Sequence, residues 1–416
     1  MYMVISKPKR RSENSGLLHF MASPGESLRH FSKDRRPLGL MLYCSNRCSR
    51  FDNITHDPVV KQPGHANRVI VKKGAFSIRM LEVSQRSSLL HIWSTCAKAD
   101  TSPKNIRKTS LMTVPFSQGV LDVGDGHQLY YAEFGTPKAP AVVVLHGGPG
   151  SSCHSGMLEW FDLTRHRVVL FDQRGCGRST PKGSLAANTT HHLIQDLEQL
   201  RRHLDISTWL VVGGSWGALL GLLYAGTHPA SVDGMVLRGV FIPCDEQLEW
   251  FFQDLKALAP LAWSNLTEGM SVNENRAVLP TLAERLLIGA PDIALDAAAR
   301  WGRYEEEIMA AMLGRRVRSN GRQITELDKY RVQSHYLSQG CFVNEEELHS
   351  ALRRMTVVPV FVHGTHDWIC PPGNVVRLLE VLPKAEVRWV LRGTHTTEDP
   401  LIRDALRLAV KDCERT

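Results

Sequence analysis

The sequence Trp209-Leu210-Val211-Val212-Gly213-Gly214-Ser215-Trp216-Gly217 decides the fold of this chain. Residues 209–212 form a short, wholly apolar run, as expected of a strand that is buried on both faces. A helical pattern follows from Trp216 to His228, so the turn between strand and helix matches G-x-S-x-G. Such a turn strains the serine backbone and holds the hydroxyl above the sheet at a helix N-terminus. The sequence therefore predicts that Ser215 is a nucleophile, the alternative being an incidental serine in a glycine-rich turn.

Short apolar strands alternate with helices on both sides of this turn, which predicts a doubly wound, mostly parallel sheet. The predicted elements are a hairpin of Val120–Val123 and Gln128–Phe134, strands at Ala141–Leu145 and Arg167–Phe171, a helix carrying Leu193, Leu197, Leu200 and Leu204, strands at Met235–Arg238, Val358–His363 and Glu386–Val390, and helices at Pro372–Leu382 and Asp399–Val410. Residues 241–355 interrupt this order with helical spacing and almost no strand signal. We therefore expect a core of residues 112–240 and 356–416, with an inserted helical cap domain at 241–355.

The first 111 residues differ from the rest in composition. They contain 20 Lys and Arg against 7 Asp and Glu, whereas the remaining chain contains 30 against 35. Such a segment buries too little apolar surface to offset its chain entropy. Three interpretations stay open: a disordered basic tail, an organelle transit peptide, or translated upstream sequence before a true start at Met112. The third is favoured, because organised pattern begins just after Met112.

Charge, hydropathy and cysteine usage exclude several classes of function. The formal net charge of +8 belongs to the front segment alone, so the body has no electrostatic footprint for nucleic acid. No apolar run reaches the roughly 18–20 residues of a membrane helix. The nine cysteines are odd in number and widely spaced, which favours a reducing, cytoplasmic location over a disulfide framework. Cys44 and Cys48 lack the histidines that would complete a zinc pattern, so no metal site is expected.

A second glycine-rich loop, His146-Gly147-Gly148-Pro149-Gly150, follows the first predicted buried strand. In sheets with a G-x-S-x-G turn, this loop supplies one backbone N–H of the oxyanion hole, and the residue after the serine supplies the other. We therefore assign the oxyanion hole to the N–H groups of Gly148 and Trp216. A phosphate-binding loop is the alternative, but the spacing is not G-x-G-x-x-G and no Lys-Ser/Thr follows.

The remaining catalytic residues are predicted from chain order, which in this kind of sheet is serine, then acid, then histidine. Asp367 and His395 follow two late strands closely, and open α/β sheets place ligands at such strand ends. His395 would act as the base and Asp367 would fix its tautomer. His363 and His366 are rivals, but they precede any usable acid. Residues 172–179, Asp-Gln-Arg-Gly-Cys-Gly-Arg-Ser, are interpreted as a structural turn. Together these features predict the α/β-hydrolase fold.

Three of these motifs together resemble the proline iminopeptidase (prolyl aminopeptidase) family. They are H-G-G-P-G at 146–150, D-Q-R-G-x-G-R-S at 172–179 and G-G-S-W-G at 213–217, and the likeness covers about residues 119–412. The resemblance implies a serine exopeptidase that releases an N-terminal proline from peptides and uses no cofactor.

The same resemblance indicates candidate substrate-binding residues in the cap. Members of the family hold the free amino group of the substrate with two glutamates. Residues 298–305 are similar to the stretch that carries the first, which would be Glu305, and residues 330–336 are similar to the stretch that carries the second. Here that second position holds Gln333, and a neutral amide compensates a partly buried ammonium less than a carboxylate does. A solvated helix charge beside Glu306 and Glu307 is the structural alternative for Glu305.

Two catalytic functions and one binding function follow from these observations. The first is an aminopeptidase that removes proline, or another small N-terminal residue, through an acyl-enzyme. The second is an esterase, amidase or lactonase that acts on a neutral small molecule, which Gln333 favours. The third is a non-catalytic binding protein, against which the intact Ser215, Asp367 and His395 argue. Dehalogenase and epoxide-hydrolase chemistry is excluded, because it needs aspartate at position 215.

Overall fold

The computed structural model describes residues 114–315, 317 and 326–413, together with the backbone of two strands near the front of the chain. Those two strands, β1 (Arg68–Lys73) and β2 (Phe76–Leu81), pair antiparallel and belong to a separate unit. The sequence predicts that organised pattern begins only after Met112, and the structure differs over these residues. The signal that was missed is short: Phe76, Ile78 and Met80 alternate with polar residues. Met112, Cys44 and Cys48 lie outside the described residues, so the expectations about them stay predictions.

The main unit is built on one eight-stranded sheet. Its strands are β3 (Ser117–Gly124), β4 (His127–Gly135), β5 (Ala141–Leu145), β6 (Arg167–Phe171), β7 (Trp209–Gly214), β8 (Val232–Arg238), β9 (Val360–Gly364) and β10 (Glu386–Val390). They lie in the order β10-β9-β8-β7-β5-β6-β4-β3. The pairs β3–β4 and β4–β6 are antiparallel, and all other pairs are parallel. The eight-stranded sheet therefore begins with the antiparallel hairpin β3–β4 and continues as a doubly wound parallel sheet, as predicted.

Helices cover this sheet and fill the insertion. They are α1 (Thr190–His203), α2 (Trp216–Thr227), α3 (Asp245–Phe252), α4 (Pro260–Leu266), α5 (Val272–Arg276), α6 (Val278–Leu287), α7 (Pro291–Met312), α8 (Leu327–Leu337), α9 (Glu345–Arg354), α10 (Gly373–Val381) and α11 (Pro400–Cys413). Between β8 and β9 the described residues contain helices and loops but no strand, so the predicted helical insertion is confirmed. The domain limits at 240/241 and 355/356 stay predictions. None of the described helices is long and apolar enough to cross a bilayer.

Both faces of the sheet are buried, which explains why its central strands are continuous apolar runs. Along β5, Val143 packs into one hydrophobic cluster, and its neighbours Val142 and Val144 pack into the other. Adjacent residues of a strand point to opposite faces, so a strand covered on both sides has no polar face. Helix α2 is also buried along almost its whole length. The sheet and α2 therefore form a rigid base for the turn at Ser215.

Candidate active site

Ser215 lies in a strained turn between β7 and α2. Its backbone has φ 57° and ψ −123°, a conformation that residues other than glycine rarely adopt. The backbone N–H of Ser215 donates to the carbonyl of Arg238 at 2.9 Å, which fixes the turn against β8. A Cβ at Gly217 would collide with the carbonyl of Leu145, so glycine is needed there for helix and strand to approach. The turn has the local geometry that the G-x-S-x-G pattern predicts.

Asp367 and His395 meet at the carboxyl ends of β9 and β10. His395 Nδ1 lies 2.8 Å from Asp367 Oδ2, and both residues are buried. The other oxygen, Oδ1, accepts from the backbone N–H groups of Ile369 at 3.0 Å and Cys370 at 2.8 Å. Burial opposes ionisation of Asp367, but His395, His363 and the hydrogen bond from Cys370 outweigh it and leave the pKa of the carboxyl below its usual value. The pair is thus a buried carboxylate that orients one histidine.

Ser215 and His395 line the same cavity, which has a volume of about 310 Å³. The polar contact of the serine hydroxyl is with Cys370, whose Sγ lies 3.9 Å from Ser215 Oγ. Within the described residues no hydrogen bond joins Ser215 Oγ to His395. Catalytic hydrogen bonds often tighten only when substrate is bound. The structure therefore brings Ser215 and His395 to one cavity and places Asp367 behind His395, in direct contact with it.

The rival histidines lie in other environments. His363 is buried, and its Nε2 lies 2.9 Å from the carbonyl of Cys370 and 3.9 Å from Asp367 Oδ2. His366 is exposed, with Nδ1 3.1 Å from Thr365 Oγ1. Neither lines the cavity that contains Ser215. Their positions favour His395 as the base.

The glycine loop after β5 also reaches this cavity. Gly147 and Gly148 line it beside Ser215, and Gly148 has φ 115°. A Cβ at Gly148 would lie 2.7 Å from the backbone nitrogen of Gly150, so only glycine fits this conformation. Trp216 is the first residue of α2, and the first N–H groups of a helix have no partner inside the helix. The two predicted oxyanion donors thus belong to the glycine loop after β5 and to the first residue of α2, directly after Ser215.

Gln173 connects the glycine loop to Trp216, a role that sequence reasoning missed. Its Oε1 accepts from the indole N–H of Trp216 at 2.9 Å. Its Nε2 donates to the carbonyl of His146 at 3.1 Å, and its backbone N–H donates to His146 Nε2 at 3.1 Å. Burial lowers the pKa of His146, which keeps the ring neutral and able to accept. The one signal in the sequence was the position of Gln173 in the turn after β6, two residues beyond the end of the strand.

The rest of the segment at 172–179 makes structural contacts, as interpreted from the sequence. Asp172 is fully buried and accepts from the backbone N–H of Cys153 at 2.8 Å and from Arg178 Nε at 2.8 Å. Arg174 is also buried, and its Nε donates to Asp196 Oδ2 at 2.7 Å. These paired charges hold the turn after β6 in place.

Arg238 is a second residue that sequence reasoning did not assign. It ends β8 and lines the cavity, and its Nη1 donates to the backbone carbonyl of His395. A Cβ at Gly214 would collide with its guanidinium. Arg238 thus ties the loop of His395 to the strand beside Ser215. In the sequence Arg238 was only the last residue of the predicted strand Met235–Arg238.

Glu305 and Gln333 lie together in the helical insertion, on α7 and α8. Gln333 Nε2 donates to Glu305 Oε1 at 2.6 Å, and both residues line the cavity that contains Ser215. The structure therefore brings the two predicted substrate-binding residues to one place. Lys329, which the sequence analysis did not consider, lies beside them, with Nζ 3.6 Å from Glu305 Oε2. Across the described residues no group of three or more His, Cys, Asp and Glu side chains is placed to hold a metal ion.

Comparison with known proteins gives the same family as the motifs. Residues 140–395 match the family model of the alpha/beta hydrolase fold. A proline iminopeptidase of Xylella fastidiosa strain 9a5c is 38% identical over 296 residues, which are 70% of this chain and 95% of that protein. The proline iminopeptidase of Arabidopsis thaliana is 36% identical over 304 residues, 71% of this chain and 79% of that protein. A solved structure of a proline iminopeptidase-related protein from Thermus thermophilus covers 71% of this chain and 97% of its own, with 22% identity and a TM-score of 0.47.

The sheet order, the serine turn and the family model define a serine hydrolase of the α/β-hydrolase class. Within that class, the match to the Xylella protein assigns the family, since it has 38% identity and spans 95% of that protein. The chain belongs to the proline iminopeptidase family.

Proposed function

We propose that this chain is a serine aminopeptidase that releases an N-terminal proline, or another small residue, from peptides through an acyl-enzyme. The observation that carries the proposal is the contact of 2.8 Å between His395 Nδ1 and Asp367 Oδ2 at the cavity that contains Ser215. Relatives named proline iminopeptidases, 36–38% identical over about 70% of the chain, support the substrate class.

The roles follow from the positions of these groups. Asp367 accepts a hydrogen bond from the N–H at His395 Nδ1, which leaves Nε2 as the base that takes the proton from Ser215 Oγ. The oxygen then attacks the carbonyl carbon of the N-terminal residue, and the oxyanion binds the N–H groups of Gly148 and Trp216. His395 returns its proton to the leaving amine. Water repeats the sequence on the acyl-enzyme and frees the amino acid.

The cavity favours a small acyl group. Its volume of about 310 Å³ is at the lower end of the range of small-molecule sites. Aromatic side chains line it, among them Trp160, Phe241 and Phe251, and they offer apolar surface to a ring such as that of proline. We place the activity in the cytoplasm, which the buried free thiols of Cys341 and Cys370 support.

A second candidate is an esterase, amidase or lactonase that uses the same three residues on a neutral small molecule. The observation that favours it is that Glu305 already contacts polar groups of the chain, including Gln333 at 2.6 Å. A carboxylate that already has hydrogen-bond partners gains less free energy from binding a substrate ammonium than an unpartnered carboxylate does.

A hydrolysis panel tests the choice. Chromogenic amides of proline, alanine and leucine would be compared with short acyl esters, using the full chain and its Ser215→Ala variant. The proposal expects the proline amide to have the highest kcat/KM among the amides and to depend on Ser215. Hydrolysis of esters alone would reject the aminopeptidase and favour the second candidate.

A further inference from the structure

The carboxylate of Asp367 is held by two peptide units of its own loop. Its Oδ1 accepts from the backbone N–H groups of Ile369 at 3.0 Å and Cys370 at 2.8 Å, and its Oδ2 lies 2.8 Å from His395 Nδ1. A peptide unit is planar and joins the carbonyl of one residue to the N–H of the next. The position of the carboxylate therefore depends on how the carbonyls of residues 368 and 369 are held.

Both carbonyls are held by side chains of helix α3, in the insertion. Trp250 Nε1 donates to the carbonyl of Trp368 at 2.7 Å, and Gln247 Nε2 donates to the carbonyl of Ile369 at 2.9 Å. Gln247 and Trp250 are three residues apart on α3, so they lie on the same side of the helix. Each side chain thus binds one end of a peptide unit whose other end binds Asp367.

The amide of Gln247 is itself fixed by a helix of the sheet region. Gln247 is buried, and its Oε1 accepts from Asn374 Nδ2 at 2.6 Å. Asn374, at the start of α10, also donates from Nδ2 to the carbonyl of Val240 at 3.0 Å. Because Oε1 is engaged by Asn374, the Nε2 end of the Gln247 amide is the one that meets Ile369.

A donor at a carbonyl acts on the opposite end of the same peptide unit. It fixes the plane of the unit, and it polarises the N–H, which strengthens the hydrogen bond that this N–H makes. Reaction rates are sensitive to such placement, since a shift of about 1 Å in a reacting group can cost roughly 100-fold. The contacts of α3 can therefore influence how well Asp367 orients His395.

We propose that Trp250 and Gln247 are positioning residues for Asp367, which act through the peptide units 368–369 and 369–370. The insertion then does more than border the cavity, because it also sets the orientation of the base. The inference rests on the roles of Ser215, Asp367 and His395 in the proposed function, but it holds for an ester as well as for an amide.

The test compares Trp250→Phe with a matched control, Trp263→Phe, in the full chain. Each change removes one indole N–H that donates to a backbone carbonyl, at 2.7 Å for Trp250 and at 2.9 Å to Phe252 for Trp263, and neither tryptophan lines the cavity. For the hydrolysis of p-nitrophenyl butyrate, Trp250→Phe should lower kcat by between about 5- and 100-fold with little change in KM. Trp263→Phe should leave both constants close to those of the unchanged chain.

A double-mutant cycle shows whether the effect passes through Asp367. The same change is made in an Asp367→Asn background, and the rate of Ser215→Ala is subtracted throughout. There Trp250→Phe should alter kcat by less than about twofold, because the group that it positions is already lost. An unchanged kcat in Trp250→Phe, or an equal fall with and without Asp367, would overturn the inference, since a purely structural effect adds to that of Asp367→Asn.

A second variant keeps the test decisive if Trp250→Phe does not fold. Gln247→Leu should also lower kcat, and again only when Asp367 is present. Its control is Gln253→Leu, because Gln253 donates from Nε2 to the carbonyl of Asn275 at 3.0 Å and does not line the cavity. Equal kcat values for Gln247→Leu and Gln253→Leu would contradict the inference.

The ester separates this inference from the choice of substrate. If ester hydrolysis depends on Ser215 and Asp367 but L-proline p-nitroanilide is not cleaved, the aminopeptidase proposal fails and the cycle still decides the inference. If Asp367→Asn keeps the full kcat for the ester, Asp367 is not the acid, and the inference falls with that assignment.

Discussion

The side-chain oxygen of Gln173 accepts a hydrogen bond of 2.9 Å from the indole N–H of Trp216, the residue directly after Ser215. The same side chain donates to the carbonyl of His146 at 3.1 Å, in the glycine loop after β5. One amide therefore bridges the glycine loop and the first residue of α2, whose backbone N–H groups we propose as oxyanion donors. Because donors act best when they are fixed before the reaction, this bridge should affect catalysis as well as stability.

Replacing Gln173 by leucine tests the bridge. The change leaves the indole N–H of Trp216 and the carbonyl of His146 buried without partners, which should cost about 1–3 kcal/mol of stability for each group. We also expect kcat to fall by about 10- to 100-fold with little change in KM, because the donors act mainly in the transition state. Thr136→Val is the control, since Thr136 does not line the cavity and the change removes hydrogen bonds of 3.1 Å to the carbonyls of Leu163 and Thr164. Equal kcat values for Gln173→Leu and the control would show that the bridge is only structural.

The contact between Asp367 and His395 gives a second prediction. In Asp367→Asn the amide can donate to His395 Nδ1, which selects the wrong tautomer and removes the base at Nε2. We expect kcat to fall by about 10⁴ for amides while the fold is kept. Asp412→Asn serves as a control, because it removes a more exposed carboxylate from an ion pair of 2.9 Å with Arg388. A loss below tenfold in Asp367→Asn would mean that another group orients the histidine.

Much of the fold was predictable because its signals are local. The strand at Trp209–Gly214, the turn at Ser215 and helix α2 are adjacent in sequence, and each has a strong pattern of its own. The order of serine, acid and histidine then gave candidates at strand ends. In the structure Ser215 and His395 line one cavity, and Asp367 contacts His395.

The contacts of Lys329 and Gln173 were not predictable, because they depend on how distant segments pack. Lys329 and Glu305 lie on different helices, so their contact of 3.6 Å follows from the packing of α8 against α7. Gln173 meets Trp216 only because β6 and β7 flank β5 in the sheet. Such contacts leave no periodic signal in a single sequence.

Gln333 gives a third prediction. A second carboxylate beside Glu305 should bind a substrate ammonium more tightly, so Gln333→Glu should raise kcat/KM for L-proline p-nitroanilide between several-fold and about tenfold. It should not raise kcat/KM for the N-acetylated substrate, and Glu305→Gln should lower the value for the free amine alone.

The comparison must be made at several pH values, because two neighbouring carboxylates raise each other's pKa and one could stay protonated. No gain for the free amine in Gln333→Glu at any pH, together with indifference to Glu305→Gln, would reject the aminopeptidase in favour of the esterase candidate.

The most direct test of the central claim is the hydrolysis of L-proline p-nitroanilide by the full chain and by Ser215→Ala, with labelling of both by a fluorophosphonate probe. The account predicts that the unchanged chain cleaves the anilide and carries one adduct, located at Ser215 by peptide mapping. In Ser215→Ala the adduct should be absent and kcat should fall by about 10⁶, with the cooperative unfolding transition kept. A variant that kept a tenth of the turnover, or an adduct at another residue, would contradict the assignment of Ser215 as the nucleophile.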